Sequence, residues 1–350
     1  MPINIRYFSS VKLSKTANIL IITSFSIFIL VYGKDILIPF VLALFLWFIV
    51  KEIRMSLQRI KLVRDYLPPW FLNIFATTIL FFVGSFLVQI LTNNINIISA
   101  NIPKYEANIH HVQGLIEKMT GLDLMAKAKE FSGGIDFSDI LSSLVNSLSS
   151  IVSNIVLILI YFLFLLLEEG GFGKKIAAIA KGKSKQTIAL LNKIDHSIGS
   201  YITLKTVVSL TTGVVSFIAL RFFGVDAPVF WAFIIFLLNY IPTVGSLIAT
   251  IFPSVFFLIQ TGEIMPAVYV LIVITIIQLL VGNLLEPLLM GDRLNVSALV
   301  VLIALAVWGT IWGIPGMVLS VPLTVIMIIL FAEFETTKPI AILLSDKGKV

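Results

Sequence analysis

Apolar residues along this chain gather into runs long enough to cross a bilayer, with short polar or charged connections between them. A spanning helix needs about 20 consecutive, mostly apolar residues. Runs of this kind occupy 16–33, 36–50, 70–91, 151–167, 198–223 and 265–285. Two more, 229–260 and 297–334, are too long for one upright span: a helix of 32 residues would reach about 48 Å at 1.5 Å per residue. Inside hydrocarbon every backbone polar group must be bonded within the protein, which leaves helices and closed barrels. The runs are continuous rather than alternating, so the fold class expected is all-α. It is a polytopic membrane helix bundle of about eight hydrophobic segments, two of them over-long and broken.

Composition agrees, with 58% hydrophobic and 13% charged residues, where a soluble domain is about a quarter charged. The net charge of +6 does not point to nucleic acid, because the basic residues lie between apolar runs, where they orient membrane helices. With no cysteine, disulfides and Cys-based metal sites are excluded. His110, His111 and His196 are too scattered to suggest a metal centre. The first apolar run is long and is followed by another, so it reads as a retained helix rather than a signal peptide.

Charge also organises the chain. Residues 1–92 read as three membrane helices with a basic cytoplasmic loop carrying Lys51, Arg54, Arg59, Lys61 and Arg64. Residues 93–150 form the one long polar region. Ile98, Ile102, Tyr105, Ile109, Val112 and Ile116 recur there at helical spacing, so amphipathic extramembrane helices are expected, broken at Ser132-Gly133-Gly134. Residues 151–334 return to the membrane and hold both broken segments, and 335–350 read as a short cytoplasmic tail. Lysines between Lys174 and Lys193 mark the inner side again.

The breaks draw attention because irregular backbone survives in hydrocarbon only where protein or a wet cavity satisfies it. Two Pro/Gly-interrupted segments are the sequence pointer to a binding site of discontinuous helices. In the first, Asn239, Tyr240, Pro242, Thr243, Gly245 and Ser246 combine a missing backbone donor at Pro242 with hydroxyl and amide groups. In the second, Gly313, Pro315 and Gly316 repeat that chemistry. Both segments are expected to be hairpins rather than single broken helices, with their tips meeting near mid-membrane. Between them Gln278, Gly282 and Glu286 stand four apart on one helix face, with Asn283 beside them. An ionisable group in a membrane segment is expensive and usually faces a cavity or partner, so Glu286 is the candidate for a proton or cation. Its bland counterpart is an acid at a helix end, paired with Arg293. No nucleophile–base arrangement and no cofactor or metal motif is found, so neither enzyme action nor a cofactor is expected. The remaining partners are the lipid bilayer and a small-molecule or cation substrate.

The stretch from Asn239 to Pro253, the run Asn283-Leu-Leu-Glu-Pro-Leu-Leu-Met-Gly-Asp-Arg-Leu-Asn-Val-Ser297, and Gly313-Ile-Pro-Gly-Met-Val-Leu-Ser-Val-Pro322 resemble the AI-2E (autoinducer-2 exporter-like) transporter family. The resemblance covers essentially the whole chain. It implies secondary transport that exports a small solute, with autoinducer-2 as the name-giving substrate in quorum sensing. It also implies a homo-oligomer, a pentamer among the forms, in a bacterial inner membrane. A second reading implied by similar proteins is a sodium (lithium)/proton antiporter; a third reading is a non-transporting membrane scaffold. Similar proteins carry His-Pro where this chain has Val296-Ser297, so any proton role of that histidine is missing or displaced here.

Overall fold

Long uninterrupted apolar sequence gives long helices here, since intrahelical bonding is the one way each run can satisfy its own backbone in lipid. The computed structural model describes residues 15–120, 155–179, 184–290 and 295–348, and every regular element among them is helical. The N-terminal part comprises α1 (Lys15–Tyr32), α2 (Lys34–Gln58), the short α3 (Lys61–Tyr66), α4 (Pro69–Ala100) and α5 (Ile102–Thr120). Then come α6 (Ile155–Ile179), α7 (Ser184–Phe223), α8 (Pro228–Leu238), α9 (Val244–Thr261) and α10 (Ile264–Leu280). A π-helical turn, Val281–Leu285, joins α10 to α11 (Glu286–Met290), and α12 (Ala298–Trp312), α13 (Ile314–Glu333) and α14 (Lys338–Leu344) complete the chain. Among the described residues, five helices are long and apolar enough to cross a membrane: α2, α7, α9, the α10–α11 unit and α13. The protein is a multi-pass helical membrane protein.

Both over-long segments fold back on themselves. α12 and α13 are separated by Gly313 alone. They lie so close that a Cβ on Gly316 would stand 1.9 Å from the Trp308 carbonyl oxygen. The α8–α9 pair uses the same device, a Cβ on Gly245 falling 1.8 Å from the Leu238 oxygen. Lipid tails are as apolar as leucine, so helices gain little from burying apolar surface against each other, and small residues that let backbones approach matter more. The main core lies between α7, α8, α9 and α10, with Trp231 and Phe256 packed at 5.0 Å between ring centres.

Polar ties fix the two ends of the bundle. At one end Lys51 of α2 binds Asp195 of α7 at 2.5 Å. There Arg54 also bridges Glu169 of α6 at 3.0 Å and Asn73 of α4 at 2.6 Å. At the other end, about 42 Å along α7, α5 is docked on the connection after α7 and on the end of α9. The Tyr105 hydroxyl donates to Asp226 at 2.8 Å. Burial and the Asp226 carboxylate push the Tyr105 pKa above its ordinary value, so it stays a donor. Asn108 donates to the carbonyls of Ile259 and Gln260 at 3.0 and 2.8 Å.

α5 occupies the first amphipathic stretch read from the sequence; the expected break at Ser132-Gly133-Gly134 lies outside the described residues. α4 continues without interruption past residue 92, where the sequence suggested the membrane run ends. The C-terminal α14 packs back on the 295–297 segment, Ser297 donating to the Leu344 carbonyl at 3.2 Å.

Candidate functional site

The α8–α9 tip is built by residues that cannot continue a helix. Tyr240 and Ile241 close α8 with bonds to the carbonyls three residues back, and Pro242 has no amide hydrogen to offer. The chain then turns at Thr243, whose φ of 58° and ψ of −60° are unusual for a β-branched residue. The Val244 amide donates to the Pro242 carbonyl at 2.5 Å. This is a γ-turn of the strained, positive-φ form. Asn239 holds the tip to α7 by donating to Ser209 at 3.2 Å and Thr212 at 3.4 Å. Tyr240 adds a 2.7 Å hydroxyl contact with Thr206 of α7 and an edge-on packing against Phe45 of α2.

Opposite the tip, the α10 helix widens into the π-helical turn Val281–Leu285, closed by the Glu286 amide on the Val281 carbonyl. Single π-turns of this kind often mark functional sites. The turn sets Gln278, Gly282, Asn283 and Glu286 along one wall of a cavity of about 410 Å³. Asn239, Pro242, Thr243 and Ser246 form the facing wall, and α12–α13 contribute the apolar side chains Val301 and Val321. The first and second motifs read from the sequence therefore share one cavity. Tyr240 and Gly245 support it from behind: Tyr240 anchors the tip and Gly245 lets α9 close on α8.

The third motif does not join them. Gly313 and Pro315 line a separate cavity of about 380 Å³, against Lys34, Asp35 and Pro39 at the start of α2, and Gly316 serves the α12–α13 packing. The first tip meets α2 at Phe45, the second at its start, a difference of about 16 Å along that helix. The expected meeting of the two tips near mid-membrane is thus replaced by two tips at different levels. Opposite direction is the cause: α8 starts beside Asp226 at the α5 end of the bundle and runs to the chamber, whereas α12 starts beside Val296 on the chamber wall and runs to the start of α2.

Arg293, the partner weighed from the sequence for Glu286, lies outside the described residues, and among the described residues the partner of Glu286 comes from α7. The Glu286 Oε1 accepts from the Lys205 ammonium of α7 at 2.6 Å. Lys205 was missed at the level of sequence, although it is the one charged residue between His196 and Arg221 in an apolar run. Tyr201, one turn before it on α7, also lines the cavity and was missed. The Tyr201 hydroxyl and the Gln278 Nε2 are both buried, and among the described residues neither has a hydrogen-bond partner. A buried polar group left unpaired is costly, and native structures rarely tolerate one without a reason. The arrangement is a polar, mid-helix chamber with one internal ion pair and two unspent hydrogen-bonding groups. It is suited to binding a small polar molecule.

A sequence profile described as AI-2E family transporter matches residues 19–336. The chain is 32% identical over 326 residues to the AI-2 transport protein TqsA of Escherichia coli (strain K12), covering 91% of this chain and 92% of that protein. A putative transport protein of Haemophilus influenzae is 30% identical, covering 90% of this chain and 91% of that one. Another, from Borreliella burgdorferi, is 37% identical over 57% of this chain and 56% of that protein. With helices that cross the membrane around a polar chamber and a family match over nearly its whole length, this chain belongs to the AI-2E family of transporters.

Proposed function

We propose that the protein is a secondary transporter that exports a small, uncharged polar solute across a bacterial inner membrane, through the chamber between α7, the α8–α9 tip and α10. The observation that carries this reading is the pair of unspent groups, Tyr201 hydroxyl and Gln278 Nε2, in a polar cavity of about 410 Å³. A solute bearing hydroxyl or carbonyl groups supplies the partners these side chains lack. Autoinducer-2 is the first solute to test, because the similar Escherichia coli protein is named for its transport. Coupling to an ion gradient and a homo-oligomeric state belong to the same proposal, carried from the family resemblance.

The second reading, a sodium (lithium)/proton antiporter, is favoured by one observation: Glu286 places a carboxylate on the wall of this cavity. The same carboxylate is already engaged by Lys205, so the solute reading stands first.

The test is flux in proteoliposomes, with autoinducer-2 release and sodium-driven proton movement followed side by side. Saturable autoinducer-2 flux that Asn283→Trp abolishes by filling the chamber supports the exporter. Sodium–proton exchange without solute flux, lost on Glu286→Gln, replaces it with the antiporter. Neither activity, with the protein folded, leaves the scaffold reading.

A further inference from the structure

Charged side chains within membrane helices are costly and survive where they are paired or wet. Of the described residues lining the chamber, two carry charge, Lys205 and Glu286, and they are bonded to each other. Their exposures differ: the Lys205 side chain is 6% exposed and Glu286 26%. The ammonium is thus the buried member and the carboxylate the one that opens on the chamber.

We infer that Lys205 sets the charge selectivity of transport: its tethered ammonium takes the place at Glu286 that an inorganic cation would occupy, so the chamber rejects Na⁺ and Li⁺ and admits uncharged polar solutes. This rests on the chamber being the transport site.

The steps are electrostatic. A small hard cation needs oxygen ligands and benefits from a full carboxylate charge. The chamber supplies the oxygens, on Thr243, Ser246, Gln278 and Asn283, but the carboxylate is neutralised from α7. For a cation to bind, the ammonium must leave Glu286 and remain buried without a counter-ion, the costly state of a broken internal pair. Its polar neighbours on α7 are already engaged. Thr206 donates to the Ile202 carbonyl and contacts Tyr240, and Ser209 accepts from Asn239. Tyr201 offers a neutral hydroxyl and no charge. An uncharged solute needs no such displacement, because Tyr201 and Gln278 have bonds to give while the ion pair stays closed.

Lys205→Met keeps the length of the side chain and removes the charge. It leaves an uncompensated carboxylate among oxygen ligands, so a cation site should appear. The measurement is ²²Na⁺ binding to the purified full-length protein, checked by the Na⁺-dependent shift in thermal unfolding against choline. The expected result is Na⁺ affinity at least about tenfold higher in Lys205→Met than in the wild type, the scale of a charged hydrogen bond no longer competing. The gain should vanish in Lys205→Met/Glu286→Gln. Lys205→Gln carries the same expectation if the Met variant does not fold. The swapped pair, Lys205→Glu with Glu286→Lys, stays neutral and should remain blind to Na⁺. Equal Na⁺ affinity in wild type and in the neutral variants overturns the inference, as does a gain that survives Glu286→Gln. Autoinducer-2 flux in the same preparations is a separate readout. Its absence in the wild type removes the solute reading and leaves the binding result to stand or fall by itself.

Discussion

The indole Nε1 of Trp312 donates to the main-chain carbonyl of Leu30 at 2.9 Å, tying the tip of the α12–α13 hairpin to the last turn of α1. Carbonyls in the last turn of a helix have no intrahelical partner, so the bond satisfies both groups where they are partly buried. Trp312→Phe is expected to cost about 1–2 kcal/mol. Amide exchange over 309–317 should quicken, while exchange in α9 stays unchanged.

The close contact of the hairpin arms gives a sharper test. An added methyl at Gly316 would sit 1.9 Å from a backbone oxygen, which no rotamer change can relieve. Gly316→Ala should therefore part α12 from α13, giving a fall in the yield of folded protein and a loss of several degrees in the unfolding midpoint. Gly84, where a methyl would find nothing within 4 Å, is the control. Gly84→Ala should leave the midpoint within a degree or two.

Thr243 holds a positive φ on the chamber wall. Such strain costs about 1–3 kcal/mol at a residue with a β-carbon and persists where the surroundings enforce it. Thr243→Gly removes most of that cost, against a loss of about 1 kcal/mol in chain entropy. A net gain of about 1 kcal/mol in stability is expected, whereas Thr243→Val, which keeps the strain, gives none. If the tight tip is what presents Thr243 and Ser246 to the solute, the glycine variant should also bind solute less tightly. A paired measurement of unfolding midpoint and solute KM checks both.

The membrane fold was legible because span length and hydropathy are properties of contiguous sequence. So was half of the chamber: Pro242 stands beside Thr243 and Gly245 in a cluster that favours a break, whereas the isolated Pro253 and Pro322 stay inside their helices, and Gln278, Gly282 and Glu286 share a face by spacing alone. What sequence reading missed depends on distances between segments. Glu286 pairs with a residue 81 positions away, and nothing local to Glu286 announces it, although Lys205 was itself conspicuous as a lone charge in an apolar run. The two breaks look alike because Pro and Gly mark each, yet their depth is set by where α8 and α12 begin, at Pro228 and Ala298. The π-helical turn at Val281–Leu285 is a shift in backbone register, and Gly282 in an apolar run gives no sign of it.

Docking of α5 rests on few groups, and its contribution can be isolated. Asn108 supplies two bonds to the final carbonyls of α9. Asn108→Ala removes both and should cost about 1–3 kcal/mol locally. Faster hydrogen exchange across 102–120, with exchange at the α8–α9 tip unaltered, is the expected pattern. Equal acceleration at both places would mean that α5 holds the tip as well as the end of α9.

The ion pair at the chamber predicts an asymmetry that a surface pair would not have. Glu286→Gln leaves the Lys205 ammonium, 6% exposed, without a counter-charge, while Lys205→Met leaves a carboxylate that is 26% exposed and can draw on solvent in the chamber. Removing one partner of a buried pair costs about 3–5 kcal/mol, and replacing both with uncharged groups is often close to neutral. Glu286→Gln should therefore be the more destabilising single change, toward the upper end of that range. Lys205→Met should fall below it, and the double variant should recover most of the loss. Unfolding midpoints of the four proteins in one detergent complete a double-mutant cycle. A coupling near zero, or two equal single effects, would place the pair in solvent and remove its ability to hold the charge of the chamber.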